Sequence, residues 1–201
     1  MMKQLLVATH NQGKVREYAA MLADLDVAWL SLNDAGVTHD VAETGTSFHE
    51  NAALKAQAYA RQTGLLTLAD DSGLEVDALE GAPGVHTARY GGAGLTYAQR
   101  YHLLLQALRD VAWEARGARF RCVIALADGD GALLGTADGA CPGLIALEPA
   151  GVGGFGYDPV FYLPDFDKTM AEVSPAVKNR ISHRARAMAE IAPLLRRALG
   201  A

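Results

Sequence analysis

Cysteine is nearly missing from this chain. Cys122 and Cys141 are its two thiols in 201 residues. They offer neither a metal-ligand spacing nor a disulfide framework, and a reducing compartment is the simpler reading. Long apolar runs are missing as well. No stretch approaches the roughly 20 residues of a membrane span. The run after Lys3, Leu5-Leu6-Val7-Ala8, is too short for the core of a secretion signal, so a cytoplasmic protein is expected with no membrane partner. Positive charge is not in excess either. Eighteen Lys and Arg against 23 Asp and Glu give a formal net charge of −5. That excludes a global basic field for nucleic acid and leaves local cations for a small polyanion. There is no internal repeat, low-complexity tract or long linker, so residues 1–201 read as a single domain. No Walker-type phosphate loop and no G-x-S-x-G element occur, and His39, His49, His86 and His102 show no zinc spacing. What is there is ample apolar material: 50% of residues are hydrophobic and 20% charged, enough to bury a core.

The hydrophobic periodicity alternates between strand and helix. Gln4 to Ala8 reads as a buried strand. A polar loop follows, and then Val15, Tyr18, Ala19 and Leu22 make one helix face. Ser47 with Glu50 predicts a capping box opening a second helix, which Gly64 closes. Leu65 to Ala69 predicts a strand ending at Asp70-Asp71-Ser72-Gly73, and Leu74, Val76 and Ala78 predict another. Thr96 with Gln99 predicts a further capping box, with Tyr101, Leu104, Leu105 and Leu108 as the apolar stripe. Phe120 to Leu126 and Ala132 to Ala137 predict a hairpin across Asp128-Gly-Asp-Gly. Short strands are expected at 144–147 and 160–163. A last helix is expected from Ser182, with Lys178 near its start and a kink at Pro193. The class is α/β, with antiparallel pairs added by the hairpin.

Four constellations carry chemistry. Thr9-His10-Asn11-Gln12-Gly13-Lys14 joins a strand to a helix N-terminus, where free amides and a positive dipole end suit a phosphate. Taken alone, an ordinary turn with Asn11 as N-cap accounts for it slightly better. Asp70 and Asp71 repel one another unless a cation relieves them. Mg²⁺ suits one or two carboxylates plus substrate phosphates. The run Gly151 to Gly156 matches G-x-G-x-x-G literally, but Pro159 and an aromatic strand follow where a dinucleotide fold needs a helix. A loop that lets a flat ligand approach is the better reading, with Phe155 or Tyr157 stacking on a base. Lys178, His183 and Arg184, placed at the start of the last helix, oppose its dipole and want an acceptor. Asn51 and Lys55, four apart, share a helix face.

Taken in order, T-H-N-Q-G-K at 9–14, E-T-G-T-S-F-H-E-N-A-x-L-K-A at 43–56, A-D-D-S-G-L-x-V-D-A-L at 69–79, G-A-P-G-V-H-T-A-R-Y at 81–90, G-G-F-G-Y-D-P at 153–159 and I-S-H-R at 181–184 resemble the inosine/xanthosine triphosphate pyrophosphatase family. The resemblance covers nearly the whole chain. It implies an elongated mixed β-sheet flanked by helices, two lobes with a central cleft, Mg²⁺ dependence and a homodimer. It implies that Thr9, His10, Asn11, Gln12, Gly13 and Lys14 bind the triphosphate, with Asn51 and Lys55 facing the phosphates. Asp71 takes the catalytic acid–base position and a metal site, and Ser72 contacts substrate. Phe155, Gly156, Tyr157, Asp158, Lys178, His183 and Arg184 match the nucleotide and base site. Two positions depart from the pattern. His10 stands where a small or amide residue is usual. Ala42-Glu43 replaces a double Glu, which leaves Glu43, with Asp70 and Asp71, as the metal candidates.

The implied reaction turns a nucleoside triphosphate and water into the monophosphate and pyrophosphate, on non-standard purines whose C6 carries an oxo group. A nicotinamide-dependent oxidoreductase, a non-catalytic nucleotide-binding module and a pyrophosphatase for other bases are the competing readings.

Overall fold

The structure is a computed structural model, and it describes residues 2–200. Strand β1 (Lys3–Val7) is followed by α1 (Gln12–Met21), β2 (Val27–Leu30), α2 (Phe48–Thr63) and β3 (Leu66–Val76). The chain continues through β4 (Pro83–Gly84), α3 (Tyr97–Ala107), β5 (Gly117–Ala127) and β6 (Leu133–Ile145). It ends with β7 (Phe161–Leu163), β8 (Lys168–Thr169), α4 (Pro175–Ile181) and α5 (His183–Leu199). The sheet runs β2-β1-β3-β5-β6-β7-β8, with β4 on β3. β1 pairs parallel with β2 and with β3, in the register Leu5↔Leu66 and Val7↔Leu68. Parallel neighbours need crossovers, and α1 and α2 supply them. The β6–β7 and β7–β8 pairs are antiparallel. The result is the mixed α/β fold expected.

The chain divides into two compact units. The first comprises residues up to Asp71, Cys122–Gly139 and the chain from His183 on. Its core joins Leu5, Val7, Leu68, Ile124 and Leu126 of the strands to Val15 and Tyr18 of α1 and Met188, Ile191 and Leu195 of α5. The second comprises Ser72–Arg121 and Ala140–Ser182. Its core gathers Leu74, Val76, Phe120, Phe161, Tyr157, Leu104 and Leu108. The Phe120 and Phe161 rings meet there with centroids 4.3 Å apart and planes tilted by 36°.

Local signals account for most element ends. Ser47 caps α2 by accepting from the Glu50 amide, and Gly64 closes it in the left-handed region at φ 69°. Only glycine adopts that φ without strain. The Glu50 carboxylate accepts from the amide and hydroxyl of Thr46, and the Ser47 backbone and hydroxyl stabilise its charge further. Thr96 and Gln99 form the complete reciprocal box on α3.

Three boundaries differ from the sequence expectation. β3 does not stop at Asp70: it runs unbroken from Leu66 to Val76. β6 absorbs what read as two strands, in spite of Gly139 and Pro142. A Cβ at Gly139 would collide with the His183 carbonyl and the Ala187 backbone, so the glycine is where α5 lies close on the strand. Pro142 lies outside the stretch paired to β7, whose register covers Leu144 and Ile145. Finally, Lys178 is not at the start of the last helix. It sits in the last turn of α4, whose N-cap is Ser174, and Ser182 separates α4 from α5. A cation there agrees with the helix dipole instead of opposing it. α5 continues through Pro193 to Leu199.

Candidate functional site

Successive side chains of a strand point to opposite faces of its sheet. Because β3 runs straight through them, Asp70 and Asp71 serve two different neighbourhoods. Asp70 follows Leu66 and Leu68 onto the face covered by α1 and α5. Lys14 Nζ of α1 lies 3.0 and 2.9 Å from its two carboxylate oxygens. Arg184 Nε of α5 lies 3.7 Å from Oδ2. Asp71 faces α2. Asn51 Nδ2 donates to its Oδ2 at 3.2 Å, and Lys55 Nζ is 3.4 Å from Oδ1. Lys55 also holds Glu43 Oε1 at 2.6 Å. Asn51 and Lys55 share a helix face, as their spacing requires. The Asn51 amide oxygen accepts from Gly45 N and so ties the Glu43 segment to α2.

The two carboxylates are tuned in opposite directions. Burial pushes Asp70 up, but Lys14, Arg184 and Lys55 outweigh it and hold the carboxyl far below its usual range. Asp71 is raised: burial leads, Glu43 and Asp70 add to it, and Lys55 and Asn51 only partly offset them. Lys55 itself is pushed down by burial, yet Asp71, Asp70 and Glu43 prevail and raise it. The first unit therefore holds one firmly ionised, fully paired carboxylate and one partly buried carboxylate of raised basicity.

The Thr9–Lys14 loop is capped from within. Asn11 Oδ1 accepts from Gly13 N at 2.8 Å, and Thr9 Oγ1 accepts from Asn11 N at 3.1 Å. The Lys14 amide returns to Asn11 O. The Asn11, Gly13 and Lys14 amides are thus engaged, and the ordinary turn with Asn11 as N-cap is the reading that the loop bears out. His10 Nδ1 lies 2.7 Å from Asn33 Oδ1, and its Nε2 lies 3.4 Å from Asp40 Oδ1. Gln12 Nε2 donates to Ser31 Oγ at 2.8 Å. His10 and Gln12 thus anchor the loop to the segment after β2.

In the second unit, Asp158 is the hub of the glycine-dense loop. It accepts from Phe155 N at 2.8 Å and from Lys178 Nζ at 2.7 Å. A Cβ on Gly154 would run into the same carboxylate. Lys178 Nζ lies 4.3 Å from the centre of the Phe155 ring, within cation–π range. Phe155 is 38% exposed and presents its ring. Tyr157 does not: it is buried, its hydroxyl donating to Thr87 O at 3.1 Å and its ring edge-on to Tyr97. Of the two aromatics considered for stacking, only Phe155 is accessible. Gly156 sits between them at φ 68°. Ser72 opens this unit on β3.

His183 and Arg184 open α5, both buried. Arg184 faces Asp70 and Glu17, its Nη1 3.4 Å from Glu17 Oε2. Burial lowers its pKa, but Asp70, Tyr18, Cys122 and Glu17 outweigh burial and raise it, so it stays cationic. Glu17 and Tyr18 escaped the sequence reading as partners of the site. The signal was their spacing, three and four residues from Lys14 on one helix face.

The donor chemistry bears on a divalent ion. Among the described residues no three His, Cys, Asp or Glu side chains are grouped to hold a metal. Asp70 is ion-paired with two cations, Lys14 and Arg184. Glu43 and Asp71 instead share one ammonium, and two carboxylates competing for a cation suit Mg²⁺, which takes few protein ligands beside substrate phosphates.

Comparisons with known proteins agree with one another. A model of the Ham1 family matches residues 5–194. A dITP/XTP pyrophosphatase of Geobacillus kaustophilus is 51% identical over 190 residues, spanning 94% of this chain and 93% of that protein. One of Shigella flexneri is 45% identical, spanning 97% of this chain and 99% of that protein. The structure of a HAM1 protein from Coxiella burnetii superposes with a TM-score of 0.88 at 42% identity, over 96% of this chain and 98% of that one.

Proposed function

This chain belongs to the Ham1 family, and from that premise we propose that it hydrolyses non-standard purine nucleoside triphosphates, ITP and XTP and their deoxy forms, to the monophosphate and pyrophosphate. The enzyme is a hydrolase of the α–β phosphoanhydride. The observation that carries the chemistry is Asp71, a partly buried carboxylate of raised basicity beside Lys55, Asn51 and Glu43.

Asp71 takes a proton from the attacking water as its oxygen bonds to the α-phosphorus. The bond from that phosphorus to the bridging oxygen breaks, and pyrophosphate leaves. A base works best when its pKa approaches the working pH, and burial moves Asp71 in that direction. Lys14 and Lys55 hold the leaving phosphates and meet the charge that develops on them. Glu43 and Asp71 would hold Mg²⁺, and the chemistry it would supply there is further charge neutralisation. The Thr9–Gln12 loop, fixed by its cap and by Asn33 and Ser31, sets where Lys14 starts. For the base we assign Phe155 as the stacking surface, with Gly156 giving it room, and Lys178 as donor to a 6-oxo group. Adenine places an amino group there, and an unsatisfied buried donor costs about 1–3 kcal/mol. Ser72 and His183 stay with substrate binding on the motif resemblance. The same resemblance supports action as a homodimer. No helix among the described residues is long and apolar enough to cross a membrane, and a cytoplasmic enzyme acting on small nucleotides fits the reading.

A substrate panel tests it. Purified protein with Mg²⁺ is offered ITP, dITP, XTP, ATP, GTP and dUTP, and pyrophosphate is scored. ITP and XTP turnover well above that of ATP is expected. Release of orthophosphate alone, or equal use of all six, refutes the reading. Sedimentation of the free protein over a concentration series tests the dimer.

A further inference from the structure

Lys14, Asp70, Arg184 and Glu17 form a line of alternating charge. Lys14 and Glu17 stand three residues apart on α1, Asp70 of β3 meets Lys14 and Arg184, and Arg184 of α5 meets Glu17 in turn. Both Asp70 oxygens lie within 3.0 Å of the lysine ammonium. Behind it, Arg184 Nε stands 3.7 Å from Asp70 Oδ2 and Arg184 Nη1 3.4 Å from Glu17 Oε2. Asp70 and Arg184 are buried, while the two ends of the line, Lys14 and Glu17, keep 21% and 20% of their side chains exposed. The arrangement has a physical logic. A lysine on a four-carbon stem samples many rotamers, and a carboxylate gripping it with both oxygens selects one. A buried carboxylate is expensive unless a second cation meets it, and Arg184 is that cation.

We infer that Asp70 and Arg184 are positioning residues: Arg184 supports Asp70 from inside, and Asp70 aims the Lys14 ammonium at the phosphates of a bound polyphosphate. This deepens the proposed function, resting on its assignment of Lys14 to phosphate. It takes Asp70 out of the metal set and Arg184 out of the base site. Asp70 acts through Lys14 and touches no substrate.

The test uses the full chain and inorganic pyrophosphate as probe, with Mg²⁺ titrated separately. Asp70→Asn is expected to weaken pyrophosphate binding and raise KM by about tenfold or more, the usual scale for a charged hydrogen bond. kcat should change less than KM, and the Mg²⁺ concentration for half-maximal activity should not move. In a Lys14→Ala background the same substitution should change pyrophosphate affinity less than about twofold, since the aimed group is gone. A tenfold rise in the Mg²⁺ requirement makes Asp70 a metal ligand and overturns the inference. So does an equal loss of affinity in both backgrounds, which a purely structural role gives. Should Asp70→Asn not fold, Arg184→Lys replaces it, because it keeps the charge and shortens the reach. Weakened pyrophosphate binding that is lost in the Lys14→Ala background is expected, and unchanged binding overturns the inference. Wild-type protein that binds pyrophosphate yet leaves ITP intact would sink the proposed function while leaving this inference standing on its binding data.

Discussion

Removing the Lys178 ammonium should unsettle the second unit more than removing Lys178 and the Asp158 charge together. Lys178 and Asp158 are 7% and 3% exposed, and Nζ lies 2.7 Å from Oδ2. In Lys178→Met the ammonium disappears and the carboxylate stays buried, still accepting from the Phe155 amide. Breaking one side of such a pair costs about 3–5 kcal/mol, because the surviving charge loses its compensation. In the double variant Lys178→Met, Asp158→Asn, the remaining side chain is neutral. Its oxygen still accepts from Phe155 N, so the loop keeps its tie. Replacing a buried pair by neutral residues of similar volume is often close to neutral, so the double variant should lie within about 1 kcal/mol of wild type. Urea unfolding reads the difference. With a slope of about 2 kcal/mol per M, the single variant should shift the midpoint down by roughly 1.5–2.5 M and the double variant by under about 0.5 M. A single variant within about 0.5 M of wild type, or a double variant as weak as the single, would refute the reasoning that an uncompensated charge sets the cost.

Other substitutions probe other parts. Asp71→Asn should lower pyrophosphate release from ITP by about 10²- to 10⁴-fold, the range of a lost general base, with an unchanged thermal midpoint; near-normal turnover would remove Asp71 from the reaction. Asp70 is ionised in the fold well below its ordinary value of 3.8. The unfolded chain therefore binds its proton first, and the stability Asp70 contributes is full above that value and drains as pH falls below it. Asp70→Asn should flatten the acid limb of a stability-versus-pH curve, and an unaltered slope would contradict the pairing. Leu195 is fully buried in the first core, so Leu195→Ala should cost about 2–5 kcal/mol in urea unfolding.

Much of the architecture is legible in the residues. The helix caps at Ser47, Gly64 and Thr96 state their positions through side-chain chemistry that acts within a few residues. The illegible parts depend on partners distant in sequence. Asp70-Asp71-Ser72-Gly73 looks like a terminus because polar residues are poor strand formers. It is strand because Lys14 and Arg184 on one side, and Asn51 and Lys55 on the other, give each acidic group a counterpart. Gly139 and Pro142 look like breaks in β6. One is the landing place of α5, and the other lies beyond the reach of β7. For the site, spacing pairs Asn51 with Lys55 and ties Lys14 to Glu17. Which carboxylate each lysine meets is decided by the alternation of β3, and an interrupted strand hides that alternation. Tyr157 illustrates the same limit: a glycine-rich setting suggests an open ring, and the Thr87 carbonyl draws it into the core.

The unbroken course of β3 makes neighbouring acids answer to opposite masters, one rigid and internal, the other reactive. A shift of a single residue along the strand would turn each to the opposite face: the reactive acid would come against Lys14 only as Ser72 took its place against Lys55. Inserting or deleting one residue between Leu68 and Asp70 should therefore do more harm than any point change there. The identity of each carboxylate resides in where the strand is anchored, and the match of Leu5 with Leu66 and Val7 with Leu68 is what keeps the chemistry on its proper side.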